Sequence, residues 1–147
     1  MTIYSDNTVQ FDADLLKKYD TFGPRYTSYP TALQFSPSFS EQNYREEIEQ
    51  SNRDGSPLSL YFHIPFCESL CFYCACNKII THTHDRAIPY LKRLHKEISL
   101  QGKLIDGSRP VNQLHFGGGT PTFLSDEQLN QLMQVTAKHF ELAPKHE

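Results

Sequence analysis

Four cysteines, Cys67, Cys71, Cys74 and Cys76, fall within ten residues, and the other 137 positions of the 147-residue chain carry none. Disulfides stabilise by closing loops across a chain, so thiols packed this tightly read instead as a metal or cluster site. The first three follow the spacing C-x3-C-x2-C. Three thiolates can hold three irons of a 4Fe-4S cluster and leave the fourth iron open to a small molecule, a geometry that an electron carrier with four cysteine ligands lacks. The competing chemistry is a zinc site on all four thiols. Structural zinc usually draws its ligands from two separated knuckles, whereas here both pairs would come from one short loop, and Cys76 reads as a non-ligand thiol.

A second loop points the same way. Gly117-Gly118-Gly119-Thr120-Pro121 places three of the chain's seven glycines in a row, a use that close approach of backbone to a ligand explains. Taken alone it reads as an ordinary turn; beside the cysteine loop it reads as the other half of a site. None of the seven histidines has the spacing of a zinc ligand set, although His63 and His115 flank the two loops. Arg25, with Tyr26 and Tyr29, has the chemistry to reach a polycarboxylate through a charge-assisted hydrogen bond, or these tyrosines simply pack an arm onto the domain.

The elements that must position these loops are legible in the pattern. Leu58 to Ile64 is a mostly apolar strand ended by Pro65, and the cysteine loop follows it directly. From about Asp85 to Leu104, Ile88, Leu91, Leu94 and Ile98 recur at helical spacing. Val111 to Phe116 is a second strand leading into the glycine loop. Ser125 and Gln128 then form a capping box for a helix burying Leu129, Leu132, Met133 and Thr136. Strands alternating with amphipathic helices imply an α/β fold with parallel pairing through a right-handed crossover. Such a unit sets the loops after its strands side by side at the carboxyl ends, where α/β proteins place ligands. Before this unit, residues 1–57 read as an amino-terminal arm with two short helices, one capped by Asp12 and ending at Tyr19, the other capped by Ser40.

Composition bounds the rest. At 38% hydrophobic and 21% charged residues the chain has the balance of a globular domain rather than a disordered or membrane-spanning one. A formal charge of −3 without a basic block argues against nucleic acid and anionic membranes as partners. Met1 to Leu16 contain no apolar run and no basic side chain, so no leader is expected and a cytoplasmic location is.

The run His63-Ile64-Pro65-Phe66-Cys67-x-x-x-Cys71-x-Tyr73-Cys74 resembles the signature of the radical S-adenosylmethionine superfamily, and the glycine loop resembles its Gly-Gly-x-x-Pro segment. Gly23-Pro24-Arg25-Tyr26-Thr27-Ser28-Tyr29-Pro30-Thr31-Ala32, together with Cys76 just after the triad, is similar to the oxygen-independent coproporphyrinogen III oxidase family within it. That resemblance implies the beginning of a partial (β/α) barrel over residues 58–147, with Cys67, Cys71 and Cys74 on a 4Fe-4S cluster. It also implies two S-adenosylmethionine molecules, the first touched by Tyr61 and Gly118, the second by Tyr73, Gly119 and Thr120. Phe66, Phe72 and Tyr73 would shield the cluster.

The implied activity is radical oxidative decarboxylation of coproporphyrinogen III to protoporphyrinogen IX in heme biosynthesis, fed by an external electron donor, in a protein expected to be monomeric when complete. Non-enzymatic heme trafficking on the same signature, or a small zinc or iron-sulfur structural module, are the alternatives. The stretch Ala143 to Glu147 reads as a connection ending where a third strand is due. The barrel is therefore expected to continue beyond it, and this segment alone to be inactive.

Overall fold

The computed structural model describes residues 11–20 and 32–144. These fall into two compact units, Met1–Ser38 and Phe39–Glu147. The first contains helix α1, Ala13–Tyr19, whose N-cap Asp12 accepts from the Leu15 amide at 2.9 Å, and a 3-10 turn at Ala32–Gln34. The Gly23 to Thr31 run, with Arg25, Tyr26 and Tyr29, lies outside the described residues.

In the second unit, helix α2, Glu41–Asp54, is opened by a capping box between Ser40 and Asn43 and ended by Gly55 in the left-handed conformation. Strand β1, Leu58–Ile64, follows with its apolar side chains on alternate positions. Phe62 and Ile64 are buried while Ser59 and Tyr61 are exposed, and each such burial contributes about 1.5–3 kcal/mol. Two short strands, β2 at Phe66–Cys67 and β3 at Ile79–Ile80, pair in parallel and close the cysteine loop at its base. Two-residue strands have no periodicity to betray them in the sequence.

A 3-10 turn at His84–Arg86 runs into helix α3, Ala87–Gln101. Pro89 is tolerated because it falls in the first turn, where its missing amide has no partner to lose. The buried stripe of α3 is Ala87, Leu91, Leu94 and Ile98, whereas Ile88, expected inside, is 57% exposed. The inward position of that first turn falls one residue earlier, at Ala87.

Strand β4, Pro110–Gly118, pairs in parallel with the whole of β1, from Leu58 opposite Val111 to Ile64 opposite Gly118. Helix α4, Asp126–Ala137, carries the expected capping box, with the Gln128 amide 3.2 Å from Ser125 Oγ and Gln128 Oε1 3.0 Å from the Ser125 amide. It buries Leu132 and Thr136 fully, while Leu129 and Met133 are partly covered. A third strand, expected only beyond Glu147, already begins as β5 at Glu141–Leu142, parallel to the start of β4. The sheet order is β1-β4-β5, so the architecture is α/β with parallel strands.

Arg109 fixes the end of the sheet remote from the loops. It is buried and uses Nε on the Ser56 carbonyl at 2.8 Å and Nη1 on Ser51 Oγ and Asn52 Oδ1 at 3.1 and 3.2 Å. Asn52 in turn donates to the Leu104 carbonyl and accepts from the Asp106 amide. These bonds join α2, within the segment assigned to the arm on sequence grounds, to the sheet that follows it.

Candidate functional site

Because β1 and β4 run parallel and hold one register from Ser59 to Ile64, the chain leaves both at the same edge, and the two loops meet there. Backbone hydrogen bonds lock them together: the Gly119 amide donates to the Ile64 carbonyl at 2.7 Å, and the Thr120 amide to the Phe66 carbonyl at 2.8 Å. The Ile79 amide reaches the Pro65 carbonyl at 2.6 Å and the Thr81 amide that of Cys67 at 2.9 Å. Pro65 to Cys67 are thus held from two sides.

The glycines are needed for this contact. Gly118 has φ +99°, a region L side chains rarely adopt, and a Cβ there would lie 2.8 Å from the His63 ring. A Cβ on Gly119 would fall 2.6 Å from the Phe66 carbonyl oxygen and 2.8 Å from Cys67 Sγ.

The loops enclose a cavity of about 580 Å³. Cys67, Cys71, Cys74, Tyr73, Gly118, Gly119 and Thr120, each singled out from the sequence, all line it. Cys76 lines it too, exposed. Among the described residues no three His, Cys, Asp or Glu side chains converge as ligands of one ion. What the loop offers is a set of soft thiols spread around one cavity, with glycine backbone opposite and no side chain intruding from it. That donor set fits an iron-sulfur cluster held at its corners.

Tyr61 is placed differently. Its ring lies beside Gly117, off the cavity wall, stacked on His115 at 5.8 Å between centroids. His63 Nε2 faces the Asn77 carbonyl at 2.8 Å. Since a carbonyl only accepts, Nε2 carries a proton, and Nδ1 is left to pair with the Tyr61 hydroxyl at 3.2 Å. Tyr61 thereby meets the site through His63, whose ring backs Gly118.

Phe66 is not a shield over the thiols. It is buried, stacked on Phe123 at 5.2 Å and edge-on to Tyr90 at 5.5 Å, because β2 turns it towards the core and Cys67 towards the cavity. Phe72 and Tyr73 are exposed. The Tyr90 hydroxyl donates to the His63 carbonyl; burial, then the neighbouring Glu97 and Tyr61, push its pKa up, which keeps it a donor.

Two titratable cavity residues, His84 and Glu68, carried no sequence signal. His84 stacks on Phe123 at 4.3 Å, with Nδ1 2.9 Å from the Phe123 carbonyl and Nε2 3.2 Å from Glu68 Oε1. Both His84 and Glu68 line the cavity. They come from separate loops with no motif linking them.

A parallel α/β unit with a three-cysteine loop against a glycine loop defines the radical S-adenosylmethionine class, and the comparisons agree. No protein-family model matches the chain. It is 50% identical over 136 residues to the oxygen-independent coproporphyrinogen III oxidase of Pseudomonas aeruginosa, covering 92% of this chain and 30% of the relative. It is 42% identical to the protein of that name from Mannheimia haemolytica, covering 90% of this chain and 89% of the relative. Among solved structures, coproporphyrinogen III oxidase HemN from Escherichia coli, described as a radical SAM enzyme, matches with TM-score 0.79 and 43% identity, over 95% of this chain and 30% of that one. The chain belongs to the oxygen-independent coproporphyrinogen III oxidase family. It spans about 30% of the length of most of the curated relatives it matches.

Proposed function

We propose that this chain supplies the cluster- and cofactor-binding part of an enzyme that oxidatively decarboxylates coproporphyrinogen III to protoporphyrinogen IX in heme biosynthesis. The observation that carries the reading is the meeting of Cys67, Cys71 and Cys74 with Gly118, Gly119 and Thr120 around one cavity, in a member of this family. A 4Fe-4S cluster with an iron open to S-adenosylmethionine supplies, when bound, the one-electron chemistry that starts radical reactions.

The chain's own residues bind and orient. Cys67, Cys71 and Cys74 would hold the cluster, with Cys67 the most firmly placed because β2 fixes its backbone. Gly118 and Gly119, having no side chains, would let the cofactor approach the backbone at the cavity wall, although the Gly119 amide is itself tied to the Ile64 carbonyl. Thr120 and Tyr73 border the same space, where the family resemblance puts a second S-adenosylmethionine. Tyr61 would act on the first through His63 and Gly118. The reaction, an external electron donor, a monomeric state and a cytoplasmic location belong in this reading to a protein of its longer relatives' length; no turnover is assigned to residues 1–147 alone. Among the described residues no helix is long and apolar enough to cross a membrane.

Iron and acid-labile sulfide after anaerobic reconstitution test the assignment. Cys67→Ala, Cys71→Ala and Cys74→Ala are each expected to lose the cluster, and Cys76→Ala to keep it. Adding S-adenosylmethionine should alter the paramagnetic resonance signal of the reduced cluster. Loss of iron on Cys76→Ala, with one of the other three dispensable, would overturn the ligand set.

A further inference from the structure

The Thr120 hydroxyl lies 3.7 Å from Cys67 Sγ, within hydrogen-bonding reach of a sulfur acceptor. Three backbone bonds make this contact a fixed one. The Thr120 amide is tied to the Phe66 carbonyl one residue before the thiol, the Gly119 amide to the Ile64 carbonyl, and the Cys67 carbonyl accepts from the Thr81 amide. Hydroxyl and sulfur therefore sit on two backbones bonded to each other. The absence of a Cβ at Gly119, where one would fall 2.8 Å from the sulfur, lets the two approach.

An O–H dipole aimed at a cluster thiolate has a definite electrical consequence. One-electron reduction adds negative charge to the cluster and its thiolates, so the dipole stabilises the reduced form more than the oxidised form and raises the reduction potential. We propose that Thr120 tunes the reduction potential of the cluster by donating from Oγ1 to Cys67 Sγ. This rests on the reading of Cys67 as a cluster ligand. Reduction transfers one electron from the donor and no atom; no bond at Thr120 forms or breaks, and the hydroxyl keeps its proton.

The test is a potentiometric titration of the anaerobically reconstituted full-length protein. Dithionite is the reductant, and paramagnetic resonance reads the reduced cluster. S-adenosylmethionine is left out, so that any contact of Thr120 with the cofactor cannot contribute. Thr120→Val and Thr120→Ala are expected to lower the one-electron equilibrium constant roughly three- to tenfold, about 30–60 mV at 59 mV per decade. Thr120→Ser is expected to restore the wild-type value. Iron content should match wild type in at least one of the two apolar variants.

Potentials of the apolar variants equal to or above wild type, with Cys67→Ala losing its iron, would overturn the tuning role and leave the cluster assignment standing. Full iron retention in Cys67→Ala would overturn both. Loss of iron in Thr120→Val and Thr120→Ala alike would also overturn the proposal, because the hydroxyl would then be needed to assemble the cluster and not to set its potential.

Discussion

Replacing Gly119 by alanine probes the junction of the two loops with a single methyl group. Its Cβ would lie 2.6 Å from the Phe66 carbonyl oxygen, 2.8 Å from Cys67 Sγ and 2.9 Å from the Pro65 carbonyl carbon. Two of these three atoms are backbone, pinned by the pairing of β2 with β3, so no rotamer change can relieve the overlap. The glycine loop has to retreat, which costs about 1–3 kcal/mol as overpacking. Its retreat stretches the bonds from Gly119 to Ile64 and from Thr120 to Phe66, each worth about 0.5–1.5 kcal/mol.

The expected loss is about 2–6 kcal/mol, or a fall in Tm of at least about 4 °C for a domain of this size. Iron binding should fall with it. Gly107→Ala is the matched control: its Cβ would meet only the His139 carbonyl oxygen, at an ordinary 3.7 Å. Tm and iron content of the two variants after anaerobic reconstitution decide the matter. A Gly119→Ala protein with full iron and a Tm within about 1 °C of the control would refute the steric argument.

Other outcomes follow from features away from the loops. Arg109→Ala should destabilise the protein by about 2–4 kcal/mol, since a buried guanidinium and its three acceptors lose their bonds; those acceptors are uncharged and the charged neighbour Asp106 is exposed, so most of the loss should persist at high salt, and its disappearance there in chemical denaturation would contradict this. Burial holds the His95 pKa below the usual histidine value, and its Nε2 is buried without a hydrogen-bond partner among the described residues. The unfolded chain takes up that proton near pH 6.5, so the stability present above that pH is lost as pH falls through the lower folded pKa. Urea midpoints at neutral pH and near pH 5 should differ by less in His95→Leu than in wild type, and an unchanged difference would count against it.

The larger elements were legible because each carries a signal repeated over many residues. Leu58 to Ile64 alternates and is stopped by Pro65, Ser40 marks a helix start as a cap, and Ser125 marks another together with Gln128 three places on. The site was legible for another reason: cysteine and consecutive glycine are costly anywhere without a use for them. What stayed hidden depends on direction, not type. Phe66 stands beside Cys67 in sequence, yet a two-residue strand sends one inward and the other out. Ile88 and Ala87 differ by one step around a helix. His84 and Glu68 meet only after folding brings separate loops together.

The pairing of β2 with β3 has a consequence for how the cysteine loop is held. Parallel strands are usually joined through a crossover helix that packs on the sheet, but here the connection is residues 68–78, and none of their side chains is buried. This loop has no hydrocarbon interior. Its two ends are held by the pairing of β2 with β3 and by Phe66 packed in the core, so the protein's own contacts meet the entropy of closing it. On the proposed reading a cluster held by Cys67, Cys71 and Cys74 would supply that interior, and binding it would order the loop. Frame and core of this region would then differ in kind, the one organic and the other inorganic.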